Sequence, residues 1–216
     1  MKHRLLYAIF LLAPFMSVSA AEDVGSVVNP GDTAATVEND ANQDVKPEKP
    51  LRFLLGGGFT FGGDKLVSAT YTDGSSDSIS AGGGLHIFGG VDYRLNDTIS
   101  LQSTLGYHFD STKQASNGSA KFSRIPLELL AYYHFNDAFR FGGGLRIVSS
   151  PKLEGGGIAS NINTSFANTV GLVVEGEYLM GATFGIKVRH VSESYRPSGG
   201  GTLNGDHFGV LANLYF

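Results

Sequence analysis

The feature that most constrains this chain is a period-two alternation that begins at Leu51 and persists to the last residue. Phe53, Leu55, Phe59 and Phe61 share one parity, while Arg52, Gly56, Gly58 and Thr60 fall on the other. A β-strand sends successive side chains to opposite faces, so the pattern reads as a strand with one apolar face. It recurs over residues 79–93, 99–109, 125–135, 139–147, 168–178, 184–188 and 208–216, which with 51–61 makes eight segments. An even number is what a closed antiparallel sheet needs if both chain ends are to lie on one side.

The connections alternate in length. Short turns are expected near Asn96-Asp97, Asn136-Asp137 and Gly181, with long polar segments over 62–78, 110–120, 149–163 and 192–206. Asn and Asp suit tight turns because their side chains bond local backbone groups and tolerate left-handed conformations. Short turns on one side and long loops on the other is how barrels are arranged in a bacterial outer membrane.

A soluble sandwich or barrel would also alternate, so charge placement must decide between them. Arg52, Asp92, Arg94, Arg124, Glu128, Arg140, Arg146, Glu175, Glu177, Lys187 and Arg189 all have the parity opposite to the apolar stripe. That stripe carries aromatics such as Phe53, Phe61, Tyr93, Phe109, Tyr133, Phe139, Tyr178 and Phe216, mostly near strand ends, where aromatic girdles meet lipid headgroups. The opposite face is rich in glycine, which suits a narrow, crowded lumen. The expected fold is therefore all-β: an eight-stranded antiparallel transmembrane up-and-down β-barrel over residues 51–216. Eight strands leave an interior just wide enough to be filled by side chains. The inward charges should therefore pair with one another as a lumen polar network. A turn about Asp137 sets Glu128 against Arg146 and His134 against Arg140, and a turn about Gly181 sets Glu175 against Lys187. His86, His108 and His134 also face inward; they are read as part of this plug, at different heights, rather than as a metal site.

The N-terminus reads as targeting sequence. Met1-Lys2-His3-Arg4 is basic, residues 5–16 are apolar, and Val18-Ser19-Ala20 offers a cleavage site, so residues 1–20 are expected to be a secretory signal peptide. Residues 21–50 are polar and end Lys46-Pro47-Glu48-Lys49-Pro50; with little apolar surface to offset ordering, they are expected to be a disordered periplasmic linker. Cysteine is absent, which excludes disulfides and thiol chemistry. A formal charge of −4 without a basic cluster argues against nucleic acid. No cofactor motif appears: the glycine triplets at 56–58, 82–84, 142–144 and 155–157 are expected to precede no helix and so not to cradle phosphate.

The ending Phe208-Gly209-Val210-Leu211-Ala212-Asn213-Leu214-Tyr215-Phe216, alternating to a terminal Phe, resembles the C-terminal signal read by the barrel-assembly machinery. Across 51–216 the chain is similar to the small eight-stranded barrels typified by OmpX and the opacity-type surface proteins, and Arg124-Ile125-Pro126-Leu127-Glu128-Leu129 is similar to a strand of that superfamily. The resemblance implies an outer-membrane location with both termini periplasmic. It also implies contact with outer-membrane lipid and lipopolysaccharide, and a structural or surface-binding role exercised through loops that contain Tyr71, Lys113, Tyr195 and Arg196.

His190-Val191-Ser192 also resembles the His-x-Ser of outer-membrane lipid A deacylases, in which a lipid-facing histidine activates a serine. Glu193 follows where that family has Asn, and Asp206 would have to serve as the third residue. The preferred reading makes His190 an interfacial polar residue and Ser192 the start of a loop. The chain is thus expected to be non-enzymatic, with a lipid A ester hydrolase and a small pore as the alternatives.

Overall fold

A computed structural model describes residues 50–70, 76–112, 118–157 and 159–216. The expected signal peptide, nearly all of the expected linker, and Tyr71 and Lys113 lie outside the described residues. In chain order the elements begin with β1 (Leu51–Gly62), β2 (Lys65–Thr70), β3 (Ser76–Ser80), β4 (Gly84–Arg94), β5 (Ile99–Ser111) and β6 (Gly118–His134). They continue with β7 (Phe139–Gly157), a single 3-10 turn at Ser160–Ile162, β8 (Thr164–Ser165), β9 (Thr169–Met180) and β10 (Phe184–Ser192). The last three are β11 (Ser194–Tyr195), β12 (Leu203–Asn204) and β13 (His207–Tyr215).

The main sheet runs β6-β5-β4-β1-β13-β10-β9-β7, with the two-residue β8 added to the end of β7, and a further β6–β7 pairing closes the ring. Eight antiparallel strands thus form a barrel. Within this ring the first and last strands of the chain pair directly, Leu55 opposite Leu214 and Phe61 opposite Phe208. Closure leaves no unpaired edge, which is the condition for a sheet to sit in lipid.

The short turns form for the reason their residues suggest. Asn96 Oδ1 accepts the N–H groups of Thr98 and Ile99 at 2.9 and 2.8 Å, and Asn136 Oδ1 accepts those of Ala138 and Phe139 at 2.9 and 2.8 Å. Gly181 supplies a φ of +72° in the third turn.

The faces are inverted relative to a soluble protein. Phe53, Phe59, Phe61, Tyr133, Phe135, Leu172, Val174, Val188, Phe208 and Phe216 stand exposed on the outside, while Arg124, Arg140, Arg146 and Glu177 are buried within. Aromatics ring the turn end (Phe53, Tyr93, Tyr133, Phe135, Phe139, Tyr178, Phe216), and a partial second ring at the loop end holds Phe59, Phe61, Tyr107, Phe109 and Phe208. This is a lipid-facing belt between two interfaces.

The loop end is more structured than the alternation predicts. The expected strand over 79–93 is two elements: Ile79 belongs to β3, paired with β2 in a separate hairpin, and the wall strand starts only at Gly84. Gly84 has a φ of +118°, and a Cβ there would collide with the Phe109 carbonyl, so the chain re-enters the wall at a point that only glycine fills. The polar stretches expected as loops over 110–120 and 149–163 are partly strand as well, because β6 and β7 continue past the apolar belt as one long hairpin. A register shift between Ser123 and Ile125, opposite Ser150 at φ +51°, lets that hairpin bend.

Candidate functional site: filled lumen and capped mouth

The inward positions of the wall bring the expected charges together in stacked groups. At the turn end Arg140 is the hub. Its guanidinium pairs with Asp92 at 2.9 Å and Glu177 at 2.7 Å, lies over the Tyr132 ring at 4.0 Å, and donates to the Tyr215 hydroxyl at 2.6 Å. Arg52 closes this end by pairing with Asp92 at 2.8 Å over the Tyr215 ring. His134 sits opposite Arg140 in register, as expected, and its Nε2 meets the Ser100 hydroxyl at 2.9 Å.

In the middle, Lys187 pairs with Glu175 at 2.8 Å and donates to Gln102 Oε1 at 2.6 Å, while the Tyr132 hydroxyl donates to Glu175. Arg189 forks onto both oxygens of Glu128 at 3.0 and 2.8 Å, and reaches Glu175 at 2.7 Å. Towards the loop end, Arg146 pairs with its cross-strand neighbour Glu128 and with Glu193 at 3.1 Å. Burying so many charges is tolerable only because each of these carboxylates lies within 3.1 Å of a cation.

Two expected details are corrected. Strands β9 and β10 turn one position later than Gly181 implies, so Lys187 lies opposite Glu177 and Arg189 opposite Glu175; the Lys187–Glu175 pair is diagonal. His86 and His108 are not at different heights but are cross-strand neighbours with rings stacked at 5.0 Å, and His207 joins them edge-on to His108 at 5.5 Å. The Arg94 guanidinium donates to the Asn96 and Asp97 carbonyls of the first turn.

Above these groups the mouth is closed by an apolar cluster of Ile79, Ala81, Phe122, Val148, Leu153, Phe166 and Tyr195. Tyr195, expected as an exposed loop residue, is fully buried here, whereas Arg196 beside it is exposed. Burial raises the Tyr195 phenol above its usual range, with Arg124 pulling the other way, and its hydroxyl donates to Glu193 at 2.6 Å. Among the described residues Arg124 pairs with no carboxylate. Its guanidinium lies instead against the rings of Phe122 and Tyr195, at 4.9 and 5.9 Å, so this cation joins the polar lumen to the apolar cap.

The inverted faces and the closed eight-strand ring decide the architecture. The fold is that of the small eight-stranded outer-membrane β-barrels. No family pattern matches the chain and no curated protein matches it. Among solved structures it is similar to Ail of Yersinia pestis, crystallised with the heparin analogue sucrose octasulfate, at 10% identity over 78% of this chain and 100% of that one, with a TM-score of 0.50. Neisserial surface protein A is similar at 11% identity over 78% and 98% of the two chains, with a TM-score of 0.49. OprG of Pseudomonas aeruginosa is similar at 18% identity over 77% and 96%, with a TM-score of 0.42.

In an outer-membrane barrel, a lipid-cleaving pair would stand at the loop-end interface, where His190 and Ser192 do lie. Among the described residues no hydrogen bond joins them. The His190 ring packs against Phe208 with centroids 4.6 Å apart, and the Ser192 hydroxyl donates to Asp206 at 3.1 Å. Asp206 also accepts the Glu193 N–H at 2.9 Å and so braces the end of β10.

Several members of the lumen were missed by a reading confined to charged residues in the strand centres. Tyr132, Tyr215, Gln102, Asn213 and His207 are buried polar partners on the inward parity. Glu193 follows Lys187, Arg189 and Val191 at the same spacing of two, so parity alone places it inside.

Proposed function

We propose that this chain is a non-enzymatic outer-membrane barrel with both termini in the periplasm, acting through the folded surface at its loop end. The observation that carries the reading is the capped mouth. Phe122, Phe166 and Tyr195 pack together at 5.4 to 6.2 Å, and Ile79 and Ala81 from the β2–β3 region join the same cluster. Loops held by a core of their own offer a preformed surface, which lowers the ordering cost of binding a partner. The lumen supports the same view from the other side, since ion pairs fill the section where a pore would run.

The membrane-facing partners of this reading are outer-membrane lipid and lipopolysaccharide, with the barrel-assembly machinery engaging β13 and Phe216 during biogenesis. Two measurements test it together. Lipid A from cells expressing the protein and from cells expressing His190→Ala should give identical mass spectra, and the protein in planar bilayers should give no stable conductance steps. A lost acyl chain seen only with the unaltered protein would establish the hydrolase instead, and reproducible steps would establish the pore.

A further inference from the structure

A recess in the lipid-facing wall, over β4, β5 and β6, has a shape and charge that together point to a ligand. The β5–β6 ladder pairs Leu105 with Leu127 and His108 with Arg124, but not Gly106 and Tyr107 with Pro126 and Ile125. Proline has no N–H to offer there. Glycines stand at the same level: Gly89 on the outward face of β4, and Gly106 on β5. The result is a groove of about 390 Å³ lined by Leu55, Ile87, Gly89, Leu105, Tyr107 and Ile125. Leu55, Ile87, Leu105 and Ile125 are all exposed, so the groove opens on lipid.

A cation stands over the aromatic end of this groove. Lys121, on the outward face of β6, holds its ammonium 5.2 Å from the ring centres of both Tyr107 and Phe109. Tyr107 is at once a wall of the groove and the seat of Lys121. Glu154 lies opposite Lys121 in the β6–β7 ladder, and its carboxylate is paired with Lys152 at 2.9 Å. Lys121 therefore has the position of a snorkelling cation at a headgroup interface, with an apolar trench running from it into the acyl layer.

We infer that this groove is a binding site for lipid A, with one acyl chain against Gly89 and a glucosamine phosphate on Lys121. The inference rests on the proposed orientation, because only a mouth facing outward places Lys121 among the phosphates of the outer leaflet. A zwitterionic phospholipid would fill the trench but gain less from the ammonium.

The test uses the full-length barrel in phosphatidylcholine nanodiscs containing either lipid A or lipid A stripped of its phosphates, with retained lipid counted by native mass spectrometry. The unaltered protein should retain lipid A preferentially over the dephosphorylated form. Lys121→Gln should lower retention of lipid A about fivefold, the worth of one interfacial cation, and leave the dephosphorylated form unchanged. Gly89→Leu fills the trench and should lower retention of both forms. A Cβ at Gly89 meets nothing closer than 3.6 Å, so this variant should still fold. Val174→Leu, across the ring on β9, should behave as the unaltered protein. Equal retention of the two lipids, or unchanged retention in Lys121→Gln or Gly89→Leu, would overturn the inference. Failure of the chain to give heat-modifiable, folded barrel in any of these bilayers would instead overturn the outer-membrane reading on which it rests.

Discussion

Arg140 and Glu177 are cross-strand neighbours joined at 2.7 Å, and neither side chain has any exposure to solvent. Arg140 also holds Asp92, so removing it leaves, among the described residues, Glu177 with only the neutral donors Tyr215 and Asn213 in hydrogen-bond reach and Asp92 with Arg52. Stripping one partner from a buried ionic group costs about 3–5 kcal/mol, because the remaining charge stays desolvated and uncompensated. Arg140→Ala should therefore lower barrel stability by about that much in urea unfolding. Adding Glu177→Gln should restore part of the loss, since the double variant buries one charge fewer. If the two losses simply add, the pair is not energetically coupled.

Tyr132 and Gly142 face each other across the β6–β7 ladder, and a Cβ on Gly142 would come within 2.5 Å of the Tyr132 ring. That ring is wedged beneath Arg140 and cannot retreat. Gly142→Val should thus destabilise the barrel by about 1–3 kcal/mol, as overpacking does, or prevent its assembly. Gly143 has the opposite orientation, and a Cβ there would meet only the Val173 carbonyl, at 3.4 Å. Gly143→Ala should leave the folded, heat-modifiable band unchanged. The two variants differ by one position, so a matched loss in both would show that the face assignment is wrong.

Parity made the wall and much of the lumen legible in the sequence. Lipid demands an apolar outer face at every second residue, and a filled lumen demands that charges such as Arg146 and Glu128 face each other. The loop end was less legible, for a physical reason. Above the lipid belt the outside of the barrel meets water, so the rule that separates faces no longer applies. There Ile79 and Tyr195 point into a cap assembled from distant loops, and nothing local distinguishes Ile79 from a wall residue or Tyr195 from an exposed one. The Lys187–Glu175 pair forms diagonally rather than face to face, because the turn is centred one position beyond Gly181.

The cap should be separable from the barrel. Tyr195 contributes its ring to the cluster with Phe122 and Phe166 and its hydroxyl to Glu193. Tyr195→Ala removes both, a loss of about 3–5 kcal/mol for a buried aromatic. The wall ladders continue without it, so the variant should still show folded heat-modifiable mobility. Its loops, with less apolar burial to hold them, should open more often and be cut faster by external protease. Tyr195→Phe keeps the ring and should stay close to the unaltered protein in the same assay. Loss of the folded band in Tyr195→Ala would mean that cap and wall form one cooperative unit.

Orientation in the membrane can be read directly because the chain contains no cysteine. A single introduced thiol is then the only site for a maleimide reagent that does not cross membranes. Gly199, beyond β11 at the loop end, and Ala182, in the turn between β9 and β10, are both exposed and lie at opposite ends of the barrel. Nothing lies within 4 Å of a Cβ at Gly199, so the substitution there is free of clashes. On intact cells Gly199→Cys should label and Ala182→Cys should not; after the outer membrane is permeabilised both should. The reverse pattern would place the turns outside and the capped mouth in the periplasm. It would remove the surface-binding proposal and the lipid A site with it, since Lys121 would then stand among inner-leaflet headgroups.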